Sequence, residues 1–133
     1  MNKKELSQLY FLNREIAHDY QRLAELEAAA VSATSVIGGL PHAGKLSDKT
    51  AIAAEIADLH ASIAIKTERT VREYKRLDGY IQSIPDSRMR IMLTLRYING
   101  LPWNQVAESM GGGNTPQGLL MAQKRFLENN ESR

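Results

Sequence analysis

The sequence predicts an all-α protein in which a long antiparallel helical hairpin, a coiled coil, is followed by a three-helix module containing a helix-turn-helix. Apolar residues recur every three or four positions through two long stretches, which is the period of one helical face. Aromatic residues make up only 6% of the 133 residues, and no segment alternates as a strand does. We therefore divide the chain into a hairpin at residues 1–84 and a helix-turn-helix module at residues 85–133.

The first long helix is predicted from about Lys3 to Ala33. Its mostly apolar seam consists of Leu6, Leu9, Leu12, Ile16, Tyr20, Leu23, Glu27 or Leu26, and Ala30. The second is predicted to begin at Ser47 or Asp48, either of which could cap it, and to end before Pro85. Its seam consists of Ile52, Ile56, Leu59, Ile63, Thr67 or Thr70, Tyr74, Leu77, Ile81 and Ile84. Such spacing is typical of a coiled-coil seam.

The connection between the long helices, Ser35 to Ser47, spans thirteen residues and is long for a hairpin loop. It is either an interaction loop or a plain connector. Two paired helices leave much of their apolar stripe in water. We therefore expect the hairpin to form a homo-oligomer with a four-helix arrangement, or the last three helices to pack back onto it.

Two shorter helices come after Pro85. The first has its apolar face at Ile91, Met92, Leu95 and Ile98, and the second at Trp103, Val106, Ala107 and Met110. Between them, Asn99-Gly100 favours a left-handed helix stop, and Pro102 suits a first helical position. Trp103 is expected to be largely buried. A third helix is predicted from about Thr115 to Asn129, which completes the plan of a helix-turn-helix DNA reader.

The last helix is predicted to carry the DNA contacts on the side opposite its apolar residues. Gln117 suits adenine, Met121 a thymine methyl group, and Lys124 and Arg125 phosphate or guanine. Gly118 costs helix stability, so a close approach of DNA or protein to its backbone is expected. The complete set of expected DNA-binding residues is Arg88, Arg90, Asn114, Thr115, Gln117, Gly118, Met121, Lys124 and Arg125.

Two further features have an alternative interpretation. The segment Gly111–Thr115 either brings the free N–H groups of the last helix to a phosphate or is an ordinary turn that needs glycine. On the second long helix, Arg69, Arg72 and Arg76 lie within about 60° of one another when projected at 100° per residue. They form either a solvated face with acidic partners or a clamp for the DNA backbone.

The run from Ile84 to Gly111, with its Ile-Pro-Asp, Leu-Arg-Tyr, Gly-Leu-x-Trp and Val-Ala elements, resembles the fourth region of bacterial sigma factors. It is more similar still to phage and prophage regulators of the ArpU/RinA kind, over roughly residues 25 to 127. Pro102, the longer glycine turn and the apolar last helix depart from the sigma pattern. The resemblance implies a sigma-like helix-turn-helix that binds double-stranded DNA and regulates transcription.

Other function classes have little support in the sequence. The net charge of +2 does not by itself indicate nucleic-acid binding, and the chain has no cysteine. His18, His42 and His60 lack metal-ligand spacing, so we expect no enzyme activity, no metal and no cofactor. Without a signal-like or membrane-spanning apolar segment, we expect a cytoplasmic protein. The alternative function is a helical interaction module, with a degenerate helix-turn-helix, that binds a protein such as RNA polymerase.

Overall fold

The computed structural model describes residues 1–35 and 43–131, and the side chains of residues 1–32 and 48–130. These residues form helices and include no strand, so the all-α prediction is confirmed. The helices are α1 (Lys3–Leu6), α2 (Gln8–Ser35), α3 (Ala43–Gln82), α4 (Ser87–Leu93), α5 (Trp103–Met110) and α6 (Pro116–Glu131). A π-helical segment at Thr94–Ile98 continues directly from α4.

The chain divides into two compact units. The hairpin unit is Asn13–Arg69, and the module unit comprises Met1–Leu12 and Thr70–Arg133. This division differs from the predicted boundary at residues 84 and 85. The start of the chain and the end of α3 belong to the same unit as α4, α5 and α6, because their apolar residues contribute to one core.

In the hairpin unit, α2 and α3 pack together in antiparallel fashion. The Lys66 ammonium lies 2.8 Å from the Asp19 carboxylate, whereas Arg22, further along α2, pairs at 3.3 Å with Glu55, which lies earlier in α3. Near these contacts the seam buries Leu23, Leu26 and Ile63. Two predicted seam residues are not buried, since Tyr20 is 55% and Tyr74 is 45% exposed. The predicted pairing of the two long helices is thus present in this unit.

The bounds of the long helices differ from the predictions in two places. The first helix is interrupted at Ser7, whose hydroxyl donates to the Lys3 carbonyl at 2.9 Å and whose backbone closes the first short helix. The predicted capping residues Ser47 and Asp48 lie inside α3, which begins at Ala43. Ser and Asp favour helix starts but do not prevent a helix from beginning earlier, and no proline directly precedes them here. The remaining part of the predicted connection, residues 36–42, lies outside the described residues.

The module unit has one apolar core. Leu77, Ile81 and Ile84 from the end of α3 and the residues just after it contribute to this core, together with Leu6 and Leu9. The helix-turn-helix side of the core consists of Met89, Met92, Leu93, Tyr97, Val106, Ala107, Leu119 and Leu127. The α5 pattern is as predicted, although Trp103 is only partly buried, with the Arg96 guanidinium 5.1 Å from its ring centre.

Of the predicted α4 face, Met92 is buried and Leu95 and Ile98 are partly buried against the core, whereas Ile91 is 52% exposed. Met89, Met92 and Leu93 form one regular helical face, and Ile91 lies on the opposite side of the helix. A π-helical turn follows, in which the Asn99 N–H donates to the Thr94 carbonyl, five residues back, at 2.9 Å. Gly100, with φ of +73°, then ends the segment as Asn99-Gly100 predicted.

Replacing Leu77 by Ala should lower the free energy of unfolding by about 2–5 kcal/mol, because the side chain is fully buried and leaves a cavity. Val71→Ala is the matched control. Val71 lies on the same helix but is 47% exposed, so its loss should cost no more than about 0.5 kcal/mol. Urea denaturation followed by circular dichroism measures both values. Equal effects of the two substitutions would contradict the assigned core.

Candidate nucleic-acid interface

The turn between α5 and α6 depends on three successive glycines. Gly111, Gly112 and Gly113 have φ values of +65°, +65° and +78°, a region that favours glycine. The turn is then closed by Asn114, whose backbone N–H and side-chain amide both donate to the Gly111 carbonyl. The glycines are therefore required by the turn itself. The backbone conformation accounts for them without a bound phosphate.

The start of α6 is capped as predicted. Thr115 precedes the first helical residue, Pro116, and its hydroxyl accepts the Gly118 N–H at 3.1 Å. A Cβ atom at Gly118 would lie 3.0 Å from the same hydroxyl oxygen. A side chain at Gly118 would therefore require the Thr115 hydroxyl to move by a few tenths of an ångström.

The outward face of α6 carries the residues expected to contact DNA. Gln117, Gly118, Met121, Lys124 and Arg125 are all exposed. The opposite face is anchored in the core by Leu119, Gln123 and Leu127, each buried to more than nine-tenths. The helix therefore presents one amide, one thioether and two cations on one side, beside the turn.

The rotation of α6 is fixed by a buried hydrogen bond. The Tyr97 hydroxyl donates to the Gln123 side-chain carbonyl at 2.7 Å, and both residues are almost fully buried. Burial raises the pKa of the Tyr97 hydroxyl above its ordinary value, so the group stays protonated and able to donate. The sequence analysis predicted no buried polar pair at Tyr97 and Gln123. The only indication in the sequence was a glutamine among the apolar residues of α6.

The arginines expected to contact phosphate have different surroundings. Arg88 is exposed and donates to the Asn114 side-chain carbonyl at 2.8 Å, so it lies beside the turn. Arg90 is half-buried, and its guanidinium donates to the Ile84 and Pro85 carbonyls. These bonds satisfy carbonyls just beyond the end of the preceding helix and give Arg90 a structural role.

In the part of the α3 arginine stripe that belongs to the module unit, Arg76 is also bound by groups of the protein itself. Arg76 pairs with Glu73 and donates to the Glu5 backbone carbonyl. Its pKa is raised, chiefly by the hydrogen bond with Glu73. These contacts favour the interpretation of the stripe as a solvated face with acidic partners.

One lysine near the interface was not predicted from the sequence. Lys3 lines the same cleft as Met121 and Lys124, although it precedes them by more than a hundred residues. Its backbone is held by a capping box, in which Asn2 Oδ1 accepts the Glu5 N–H at 2.8 Å and Glu5 Oε2 accepts the Asn2 N–H at 3.0 Å. The Asn-x-x-Glu spacing of this box could have indicated an ordered start. It gives no indication of the partner helix.

Metal-holding clusters and membrane spans are absent from the described part of the chain. Among residues 1–35 and 43–131, no group of three His, Asp or Glu side chains is placed to hold a metal ion. None of the helices in these two ranges has both the length and the apolar content needed to cross a membrane.

Comparisons with models of known protein families, with curated proteins and with solved structures gave no match.

Replacing Tyr97 by Phe should cost about 1–3 kcal/mol of stability, because it leaves the buried Gln123 oxygen without its donor. Tyr80→Phe is the matched control. The buried Tyr80 hydroxyl finds no hydrogen-bond partner among the described residues, so its removal should be neutral or stabilising. Thermal unfolding at neutral pH measures the difference. An equal loss for both variants would contradict the role of the hydrogen bond.

The hydroxyls of Tyr97 and Tyr80 also make the stability of the protein depend on pH. Burial raises the pKa of both hydroxyls above the ordinary value of 10.0. The stabilisation from the neutral folded form is complete below about pH 10 and is lost as the pH rises through the folded-state pKa. Each Phe variant should therefore lose less stability above pH 10 than the parent, as measured by urea denaturation at a series of pH values.

Proposed function

We propose that this protein is a cytoplasmic, non-enzymatic DNA-binding protein that uses α5, the glycine turn and α6 as a helix-turn-helix. The proposal is supported chiefly by the outward face of α6, where Gln117, Lys124 and Arg125 are exposed while buried anchors hold the opposite face. A helix held in this way can enter the major groove of double-stranded DNA without rearranging its core.

The exposed residues divide into two roles. Gln117, in the first turn of α6, offers an amide to the edge of an adenine, and Met121 lies one turn later as an apolar contact for a thymine methyl group. Lys124 and Arg125 hold phosphates, as does Arg88 beside the turn. Asn114 and Thr115 shape the approach of α6 to the DNA. We assign Arg90 to the fold because both of its carbonyl partners belong to the protein.

The more particular proposal is a sequence-specific transcriptional regulator of phage or prophage origin. It rests on the resemblance of residues 84–111 to the sigma-like module of ArpU/RinA regulators. The helical arrangement of that segment is compatible with the resemblance. The hairpin in this proposal joins two or more copies, so that each assembly carries several DNA-binding modules.

Salt titration tests the DNA-binding proposal. Lys124, Arg125 and Arg88 would neutralise three phosphates per subunit, giving a slope of log affinity against log salt of about −2.7. Lys124→Ala and Arg125→Ala should each make the slope shallower by about 0.9, whereas Gln117→Ala should change sequence preference at constant slope. Fluorescence anisotropy with a library of prophage promoter duplexes measures these effects. No binding by the parent at low salt would refute the proposal.

Arg90→Ala is the contrasting variant in the same assay. It should lower the melting temperature, because the Ile84 and Pro85 carbonyls lose their donor, while leaving the salt slope of the folded protein unchanged. A slope reduced by about 0.9 for this variant, as for Lys124→Ala, would place Arg90 among the phosphate contacts instead.

Self-association is a separate prediction for the hairpin unit. Its described surface includes three large exposed apolar side chains, Tyr20 at 55%, Val31 at 67% and Ile65 at 60%. The parent should therefore sediment as an oligomer. Ile63→Ala should reduce the oligomer and also cost about 2–5 kcal/mol of stability, because Ile63 is buried in the seam. Analytical ultracentrifugation of both proteins tests this, and a purely monomeric parent at every concentration would exclude it.

A second candidate function is a protein-interaction module that binds, for example, RNA polymerase. A cleft of about 450 Å³ favours it, lined by Tyr10 and Phe11 on one side and by Arg96 and Pro102 on the other. Phe11 is 61% exposed, and its ring meets Tyr10 edge to face at 5.3 Å. High salt separates the candidates, since DNA binding weakens steeply whereas apolar protein contacts persist.

A further inference from the structure

A second cleft in the module unit, of about 460 Å³, lies between the beginning of the chain and one side of α6. We call it the α6 cleft. Leu120, Met121 and Leu127 give it an apolar lining, and Lys3 and Lys124 add one cation from each of the two chain segments. Both lysines are exposed. Apolar surface together with positive charge suits a sugar–phosphate strand, in which the C–H faces of deoxyribose alternate with anionic phosphates.

The position of Lys3 in this cleft is set by local structure. The capping box between Asn2 and Glu5 holds the backbone on both sides of Lys3, and Leu6, which is fully buried, attaches the short helix to the core. The remaining freedom is that of the Lys3 side chain. Such an ordered backbone lowers the entropy cost of binding compared with a flexible N-terminal arm.

We propose that the α6 cleft seats one sugar–phosphate strand of the DNA duplex that α6 contacts, with Lys3 and Lys124 neutralising its phosphates. This inference rests on the proposed DNA-binding function. It adds Lys3 as a fourth phosphate contact and raises the expected slope per subunit to about −3.6. The thioether of Met121 then lies between the groove and the strand that borders it.

Glu128 gives the proposal an effect of opposite sign. Its carboxylate lines the same cleft, where it would repel a phosphate seated between the two lysines. Removing this charge should strengthen DNA binding, whereas removing the charge of Lys3 should weaken it. If the cleft contacted DNA only through apolar groups, removing the charge of Glu128 would not strengthen binding and removing the charge of Lys3 would not weaken it.

The test is fluorescence anisotropy of full-length variants with a promoter duplex that the parent binds, measured at several salt concentrations. Lys3→Ala should make the slope shallower by about 0.9 per bound subunit, and Lys3→Arg should preserve it. Glu128→Gln should raise the affinity roughly two- to fivefold at low salt. Lys4→Ala is the matched control, because Lys4 is exposed and carries the same charge but lies outside the lining of the cleft. It should leave the slope unchanged.

The outcomes separate the two levels of the proposal. If the parent binds DNA and Lys3→Ala leaves the slope unchanged, or if Lys4→Ala reduces it equally, the α6 cleft does not seat the strand and the helix-turn-helix proposal stands. If the parent binds no DNA at low salt, both proposals fail. Lys3 also lines the cleft beside Tyr10 and Phe11, whereas Lys124 does not. Binding of an acidic peptide in place of DNA, weakened by both Lys3→Ala and Lys124→Ala, would therefore assign the α6 cleft to a protein partner and overturn the inference.

Discussion

The hydrogen bond from Tyr97 to Gln123 is the contact on which the orientation of the interface depends. Packing of Leu119 and Leu127 against the core is non-directional and would tolerate some rotation of α6 about its axis. The hydrogen bond would not tolerate such a rotation. If α6 rotated by about 100°, the angle between successive residues, the Tyr97 hydroxyl and the Gln123 amide would be buried without partners. This requirement keeps Gln123 inside, and it therefore keeps Lys124 and Arg125 outside.

Tyr97 lies within the π-helical segment at Thr94–Ile98. Leu93 and Tyr97 are both buried and lie four residues apart, a spacing that places them on the same side of a helix. The Thr94 hydroxyl donates to the Arg90 carbonyl at 2.7 Å, which gives that carbonyl a second donor beside the Thr94 backbone N–H. The hydrogen bond from Tyr97 then connects this segment to α6.

The parts of the fold that depend on periodicity were predictable from the sequence. Most of the seam of the hairpin, the apolar face of α5, the stop at Gly100 and the cap at Thr115 depend on residues close together in the chain, although the predicted seam residues Tyr20 and Tyr74 are exposed. Ile91 was misassigned because the apolar residues of α4 fit two helical faces, one through Ile91 and one through Met89 and Leu93, and only the packing of the core selects between them. Arg88 and Arg90 look equivalent in sequence. In the tertiary structure, Arg90 donates to a backbone carbonyl, whereas Arg88 donates to Asn114 in the glycine turn.

The placement of Lys3 could not be predicted for a different reason. It depends on which helix packs against the beginning of the chain, and that choice is made by non-local contacts of Leu6 and Leu9 with the core. A periodic pattern shows that a face is buried without specifying its partner. The same limitation explains the boundary of the units, since Leu77 and Ile81 continue the periodic pattern of α3 while packing in the core of the module unit.

The charges of the module explain why a helix-turn-helix of this kind would depend on additional elements. Six Lys or Arg residues come after Ile84, against four acids. Of these, Arg90 is engaged by backbone carbonyls, and Arg96 donates to the Leu101 carbonyl and lies over the Trp103 ring. Among the described residues, the exposed cations on or beside α6 therefore reduce to Arg88, Lys124 and Arg125, too few for tight binding by one module at physiological salt. In the proposed function, a lysine from the beginning of the chain and a second module supplied through the hairpin both address this deficit, so each unit has a part in binding.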